Sequence, residues 1–172
     1  MPQIIIIAGP NGAGKTSFAN KHFDKPRADL AYLNADEIAR DMATTGRPQS
    51  RRDARAGRAM LKRMDALAAL RASFMFETTL ASLAYARRIP AWRERGYVVG
   101  LIYLRLPDVA AAIARVRRRV AQGGHGLPEA TIRRRFARSA EYFEKHYKGL
   151  VDEWYVWDSL EDEFRLAEAW ND

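Results

Sequence analysis

The sequence predicts an α/β fold, a parallel sheet with helices on both faces, and three observations carry that prediction. The apolar run Ile4-Ile5-Ile6-Ile7-Ala8 stands directly before a glycine-rich turn, and Ser17-Phe18-Ala19-Asn20-Lys21 can open a helix directly after it. A second run, Tyr97-Val98-Val99-Gly100-Leu101-Ile102-Tyr103-Leu104, is apolar almost throughout, as a strand buried on both faces must be. Apolar runs then alternate with segments of helical periodicity along the chain, which is the pattern of βαβ units.

The turn after the first strand reads Gly9-Pro10-Asn11-Gly12-Ala13-Gly14-Lys15-Thr16 and fits G-x-x-x-x-G-K-[ST] at every fixed position. Its glycines let several N–H groups point inward at phosphate oxygens, at the positive end of the following helix. Lys15 is placed to reach the β/γ-phosphates and the Thr16 hydroxyl to ligate Mg²⁺, so Gly9 through Ser17 form the expected ATP site. A plain turn after a buried strand would explain Gly9 and Gly14 but not the adjacent Lys15-Thr16 pair. The expected architecture is a P-loop NTPase three-layer sandwich.

Along the chain, the first helix is expected to end near His22, with Lys25-Pro26-Arg27 breaking it. Leu30-Ala31-Tyr32-Leu33-Asn34 reads as a short strand that delivers Asn34 and Asp36 at its C-terminal end, where ligands sit in open parallel sheets. Asp36 has two candidate jobs, a chemical one and that of a helix cap for Glu37-Ile38-Ala39-Arg40. Thr44-Thr45-Gly46-Arg47-Pro48 reads as a loop, and Asp53 to Leu70 as a long helix with Met60, Met64 and Leu67 on its core stripe. Ser73-Phe74-Met75-Phe76 is a third strand ending in Glu77-Thr78-Thr79. That polar cluster suits a hydroxyl-rich acceptor, or else a threonine-capped turn. Ala84 to Arg95 is expected to be helical, stopped by Gly96. Val151 to Trp157 is the last expected strand, and Glu161 to Trp170 a closing helix docked through Phe164, Leu166 and Trp170.

The most distinctive segment lies between. A helix starting at Pro107, with Val109, Ile113, Val116 and Val120 on one stripe, is interrupted by Gln122-Gly123-Gly124-His125-Gly126-Leu127-Pro128. A second helix follows, with Ile132, Phe136, Ala140, Phe143 and Tyr147 facing the core. Arginines 115–119 and 133–138 load both helices, so residues 115–138 read as an arginine-bearing lid that can close over phosphates. One domain over residues 1–172 is expected.

Composition bounds the function. The 48% hydrophobic content opposes wholesale disorder, and the absence of cysteine rules out disulfides, thiolate metal sites and thiol nucleophiles; it suits a reducing, cytoplasmic setting. No signal peptide is expected, and no stretch approaches the roughly 20 apolar residues of a membrane span, so no membrane partner is expected. A formal net charge of +8 calls for an anionic partner, either phosphate-rich small molecule or nucleic acid, while residues 151–172 are acidic. For Arg51, Arg52, Arg55 and Arg58 a solvated basic face is the plainer reading.

Taken together, the phosphate loop, Asn34-Ala35-Asp36-Glu37, Phe76-Glu77-Thr78-Thr79-Leu80, and Arg119-Val120-Ala121-Gln122-Gly123-Gly124-His125 followed by Arg133 through Ser139 resemble the zeta toxin family of P-loop kinases. The resemblance covers about residues 3–147, and the glycine-histidine lid with its arginine flanks narrows it beyond the loop alone. It implies an enzyme that uses ATP and Mg²⁺ to phosphorylate a sugar hydroxyl of a UDP-N-acetyl amino sugar and is held inactive by a small antitoxin. It further implies nucleotide and metal on Lys15 and Thr16, a general base at Asp36, acceptor binding at Glu77 and Thr79, and lid arginines, Arg119, Arg135 and Arg138, facing the transferred phosphate. The residues also leave open a kinase of nucleic-acid ends or of an antibiotic, and a nucleotide-gated nucleic-acid module. No LSGGQ-like signature of a transporter ATPase is present.

Overall fold

The computed structural model describes residues 1–23, 29–41, 49–124, 126–161 and 163–171, with no account of the side chains of 49–52 and 171. The expected break at Lys25-Pro26-Arg27, the loop at 44–48 and His125 lie outside these residues.

Six strands form one sheet in the order β2-β3-β1-β4-β5-β6. They are β1 (Gln3–Ala8), β2 (Ala31–Leu33), β3 (Phe74–Thr78), β4 (Val98–Arg105), β5 (Glu153–Ser159) and β6 (Phe164–Asn171). The first five pair in parallel and β6 pairs antiparallel with β5. The chain therefore forms a mixed α/β fold with a mostly parallel sheet, P-loop NTPase-like in its layout.

The period of two along β1 shows how the layers arise. Ile4, Ile6 and Ala8 pack on one face with Ile38 of α2 (Ala35–Asp41), Met60 and Met64 of α3 (Gln49–Ala69) and Trp92 of α4 (Ile89–Glu94). Ile7 packs on the other with Phe18 of α1 (Lys15–His22), Ile113 and Val116 of α5 (Val109–Ala121) and Ile132 of α6 (Glu129–Tyr142). A strand with both faces covered leaves its two ends as the places where polar chemistry can stand. Among the described residues no helix is long and apolar enough to cross a membrane.

Four expectations need correction. The closing helix at 161–170 is instead β6, whose partner strand supplies the backbone hydrogen bonds that an eight-residue helix would have made for itself. Its Phe164-x-Leu166 spacing fits a strand, and a register shift opposite Val156/Trp157 disturbs the alternation further along. Of the three docking residues only Phe164 packs inward, while Leu166 and Trp170 are 49% and 43% exposed. Helix α4 starts only at Ile89, with Pro90 in its first turn, where a missing N–H costs nothing; residues 83–88 form turns. In α6 it is Ser139, hydrogen-bonded to Tyr103, and not Ala140, that faces the core. A π-helical turn over Phe143–Tyr147 then brings Phe143 and Tyr147 both inward. Val120 of the α5 stripe is 42% exposed.

Candidate nucleotide and phosphoryl-transfer site

The loop between β1 and α1 is shaped by close approach. Gly9 has φ +145°, and a Cβ there would lie 2.5 Å from the Leu104 carbonyl oxygen, so no other residue fits. Gly14 is left-handed at φ +80° and is the cap residue of α1, with no side-chain cap on the first-turn N–H groups. The helix therefore presents unclaimed donors to the loop, the arrangement that receives an anion.

Lys15 folds back over the loop, its Nζ donating to the carbonyls of Gly9 at 3.0 Å and Pro10 at 3.2 Å. Burial pushes its pKa below the ordinary lysine value, against the carboxylates of Glu77 and Asp36, and the Arg119 and Arg135 guanidinium groups push it the same way. Those five side chains thus share one electrostatic neighbourhood although they come from α1, β3, α2, α5 and α6. Arg138 is exposed, and its charge acts on Glu141. The structure therefore gathers two of the three expected lid arginines. Asn11 Oδ1 is buried with no hydrogen-bond partner among the described residues, an acceptor left over inside the loop.

The loop is braced by Arg115, Ser159 and Phe164, none of which the sequence pattern placed at the loop. Arg115 donates to the Gly12 carbonyl at 3.4 Å and to both the hydroxyl and the carbonyl of buried Ser159, at 2.8 and 3.0 Å. Phe164 of β6 lies against Gly14 and stacks edge-on to Phe18. The β5-β6 hairpin thus holds the loop from outside. Between it and α5 lies a cavity of about 520 Å³ lined by Gly14, Ser17, Lys21, Arg119, Gln122 and Phe164. That is within the size range of small-molecule sites.

On the other side of the loop, Thr16 Oγ1 donates to Glu77 Oε2 at 2.9 Å. Glu77 Oε1 accepts from the Tyr32 hydroxyl, whose own oxygen accepts from Asn34 Nδ2 at 3.1 Å. Burial, and then the Glu77 carboxylate, raise the Tyr32 phenol well above its usual value. Asn34 Oδ1 accepts from the Asp36 backbone N–H at 2.8 Å, so the cap of α2 is Asn34. Asn34 is only 7% exposed and both ends of its amide are engaged, which removes it from any surface offered to an acceptor. Asp36 keeps an exposed carboxylate. Thr79 is half-buried next to the turn in which Leu80, fully buried at φ +55°, donates its N–H to Thr78 Oγ1.

Oxygen donors of this kind suit a hard divalent cation: the Thr16 hydroxyl and the Glu77 carboxylate stand together beside the lysine. Tyr32 carried no sequence signal, because its partner Glu77 stands on another strand. Ser159 carried none either, and Phe164 was expected as a docking residue but not at the loop, because the brace depends on a hairpin read as a helix.

Comparisons with known proteins bear on the family and the fold. An AAA domain family model, AAA_33, matches residues 4–144. An uncharacterized protein of Haemophilus influenzae is 28% identical over 136 residues, covering 78% of this chain and 92% of its own. Among solved structures, the native AvrRxo1-ORF1:-ORF2 complex aligns with a TM-score of 0.78 at 15% identity, over 98% of this chain and 58% of that one. The same pair has also been solved with ATP. The PezAT toxin-antitoxin system of Streptococcus pneumoniae aligns at 0.66 with 14% identity, over 98% and 72%. With the family model spanning most of the sequence and the phosphate loop built as its motif requires, this chain belongs to the AAA_33 family of AAA domains and has a P-loop kinase-like fold.

Proposed function

We propose that the protein is an ATP-dependent phosphotransferase acting on a hydroxyl of a small molecule, with a UDP-N-acetyl amino sugar, the acceptor implied by the zeta toxin resemblance, as the first acceptor to test. One arrangement supports this reading above all. Lys15, at the start of α1, lies within electrostatic reach of four charged side chains from four other elements, Asp36, Glu77, Arg119 and Arg135. A nucleotide-binding switch needs the lysine and the loop; it has no use for an exposed carboxylate within electrostatic reach of that lysine.

In this mechanism the loop N–H groups and Lys15 hold the β/γ-phosphates, and lysine leaves the Gly9 and Pro10 carbonyls to do so. Asp36 accepts the proton of the acceptor hydroxyl as its oxygen bonds to the γ-phosphorus. The bond from that phosphorus to the bridging oxygen breaks, and ADP departs with the electron pair. Arg119 and Arg135 balance charge on the moving group, which is most of what this chemistry asks of a protein. Mg²⁺, when bound at Thr16 beside Glu77, would neutralise phosphate charge. In this reading residues 115–138 act as the lid.

The charged surface favours a small acceptor over nucleic acid. Arg117 and Arg133 are tied to Glu129 and Arg118 to Glu161, so much of the lid's positive charge is already answered within the chain. A small protein antitoxin belongs to the same proposal, since PezAT is a toxin-antitoxin system. The test is transfer of labelled γ-phosphate from ATP across amino sugars, nucleotides, antibiotics and nucleic-acid ends. A labelled amino-sugar product is expected. ATP binding without product from any class, together with affinity for nucleic acid that falls steeply with salt, would replace the enzyme by a binding module.

A further inference from the structure

Glu77 stands at the end of β3 and Asp36 in the first turn of α2, and a chain of hydrogen bonds through Tyr32 and Asn34 joins them. We infer that Tyr32 is a positioning residue for phosphotransfer: it locks the start of α2, and with it the Asp36 carboxylate, to the Thr16–Glu77 pair beside the phosphate loop. The inference rests on the proposed phosphotransfer for its kinetic consequence, but not for its structural one.

The hydrogen bonds make a single chain. The Asp36 N–H donates to Asn34 Oδ1, Asn34 Nδ2 donates to the Tyr32 oxygen, and the Tyr32 O–H donates to Glu77 Oε1. Thr16 donates to the other oxygen of the same carboxylate. Every donor points toward Glu77, an arrangement in which each bond polarises the next. It also leaves no choice of amide orientation at Asn34, because only an NH₂ can donate to a phenol oxygen already spending its proton on a carboxylate. In the first turn of α2 the Asp36 and Glu37 side chains are exposed and the Glu37 carboxylate is shared with Arg40 within the same helix, while Ile38 anchors the body of the helix in the core. β2 itself is only three residues long and lies at the sheet edge, so its ladder holds this end weakly. A carboxylate that must meet an acceptor hydroxyl within a few tenths of an ångström is thus tied, through Asn34 and that phenol, to the Thr16–Glu77 pair.

Tyr32→Phe tests this, since the ring is kept and only the hydroxyl is lost. In the ligand-free protein, hydrogen exchange at the Asp36 amide should quicken by about fivefold or more while amides of β1 and β4 are unchanged. With ATP–Mg²⁺, affinity should stay within about twofold and kcat should fall by about tenfold or more, measured with an identified acceptor or with water. The fall should vanish in an Asp36→Asn background, because a residue that acts only through Asp36 has nothing left to position. Unchanged exchange at Asp36 would overturn the inference, and so would equal losses of kcat with and without Asp36. A purely structural tyrosine would lower the melting temperature and leave kcat alone, which also overturns it. If the wild type binds ATP–Mg²⁺ yet turns nothing over, the phosphotransfer reading fails while the exchange experiment still decides the role of Tyr32.

Discussion

The two halves of the site are held in different ways. On the nucleotide side, shape is set by backbone: Gly9 against the Leu104 carbonyl, Gly14 under Phe164, and α1 beginning without a side-chain cap. On the other side of the loop, shape is set by side chains, from Thr16 through Glu77, Tyr32 and Asn34 to the amide of Asp36. Backbone constraints admit almost no alternatives at a position, whereas a side-chain chain can be cut at one link with the fold intact. A site divided in this way can keep its hold on a phosphate donor while the partner surface is rebuilt.

The comparison is sharpest where charge meets the phosphate. Arg119→Ala and Arg135→Ala should each lower kcat by about 10³-fold or more, and ATP affinity far less, because an arginine aimed at the moving group acts in the transition state. Steady-state kinetics check this, and Arg138→Ala, whose charge acts on Glu141, serves as the control with little effect. Asp36→Asn should cost about 10²-fold or more in turnover with melting within about 1 kcal/mol of wild type, as Asn34 keeps the cap. Retained turnover would move the base to another group.

Breaking the nucleotide side should look different. Lys15→Ala should remove the stabilisation that ATP–Mg²⁺ confers, about 2.7 kcal/mol at a hundredfold excess over Kd, without loss of the free protein's fold. Gly9→Ala should destabilise the free protein by roughly 1–3 kcal/mol, since the added carbon meets a backbone oxygen that cannot step aside. Thermal melts with and without nucleotide separate the two. The smallest effect concerns pH. Tyr32 and Tyr147 hold their phenols above the usual value of 10.0, chiefly through burial. Their contribution is whole below pH 10.0 and is lost as pH rises through the raised folded-state values, because the unfolded chain releases those protons first. Tyr147→Phe should flatten the alkaline limb of a melting curve series.

What the sequence revealed follows the same division. The phosphate loop, β1, β4 and the long α3 were legible because glycine stereochemistry and apolar period are local properties. The convergence of Lys15, Asp36 and Glu77 was legible from strand-end placement alone. Tyr32 was not, because its partner lies 45 positions away and register cannot be read from one strand. The β5-β6 hairpin was misread for a related reason. Phe164, Leu166 and Trp170 fit a helix about as well as a bulged strand, and only the pairing with β5 decides between them. That error hid Ser159 and Phe164 together, since the brace exists only if residues 159 and 164 are joined by a tight turn, closed by Leu160 N–H to the Glu163 carbonyl. In α6 the expected stripe stepped by four from Phe136 to Ala140, whereas 3.6 residues per turn brings Ser139 to the core face.

One consequence of that brace is optical. Trp157 lies 5.3 Å from both Phe18 and His22, in the ring cluster that Phe164 completes against Gly14. The other three tryptophans are elsewhere: Trp92 on the buried face of α4, Trp154 beside Lys148, and Trp170 on the outer strand. The loop therefore carries its own fluorophore one layer beneath it. Occupancy by a nucleotide that shifts Gly14 against Phe164 becomes visible in the emission of the unlabelled protein, and Trp157→Phe supplies the blank.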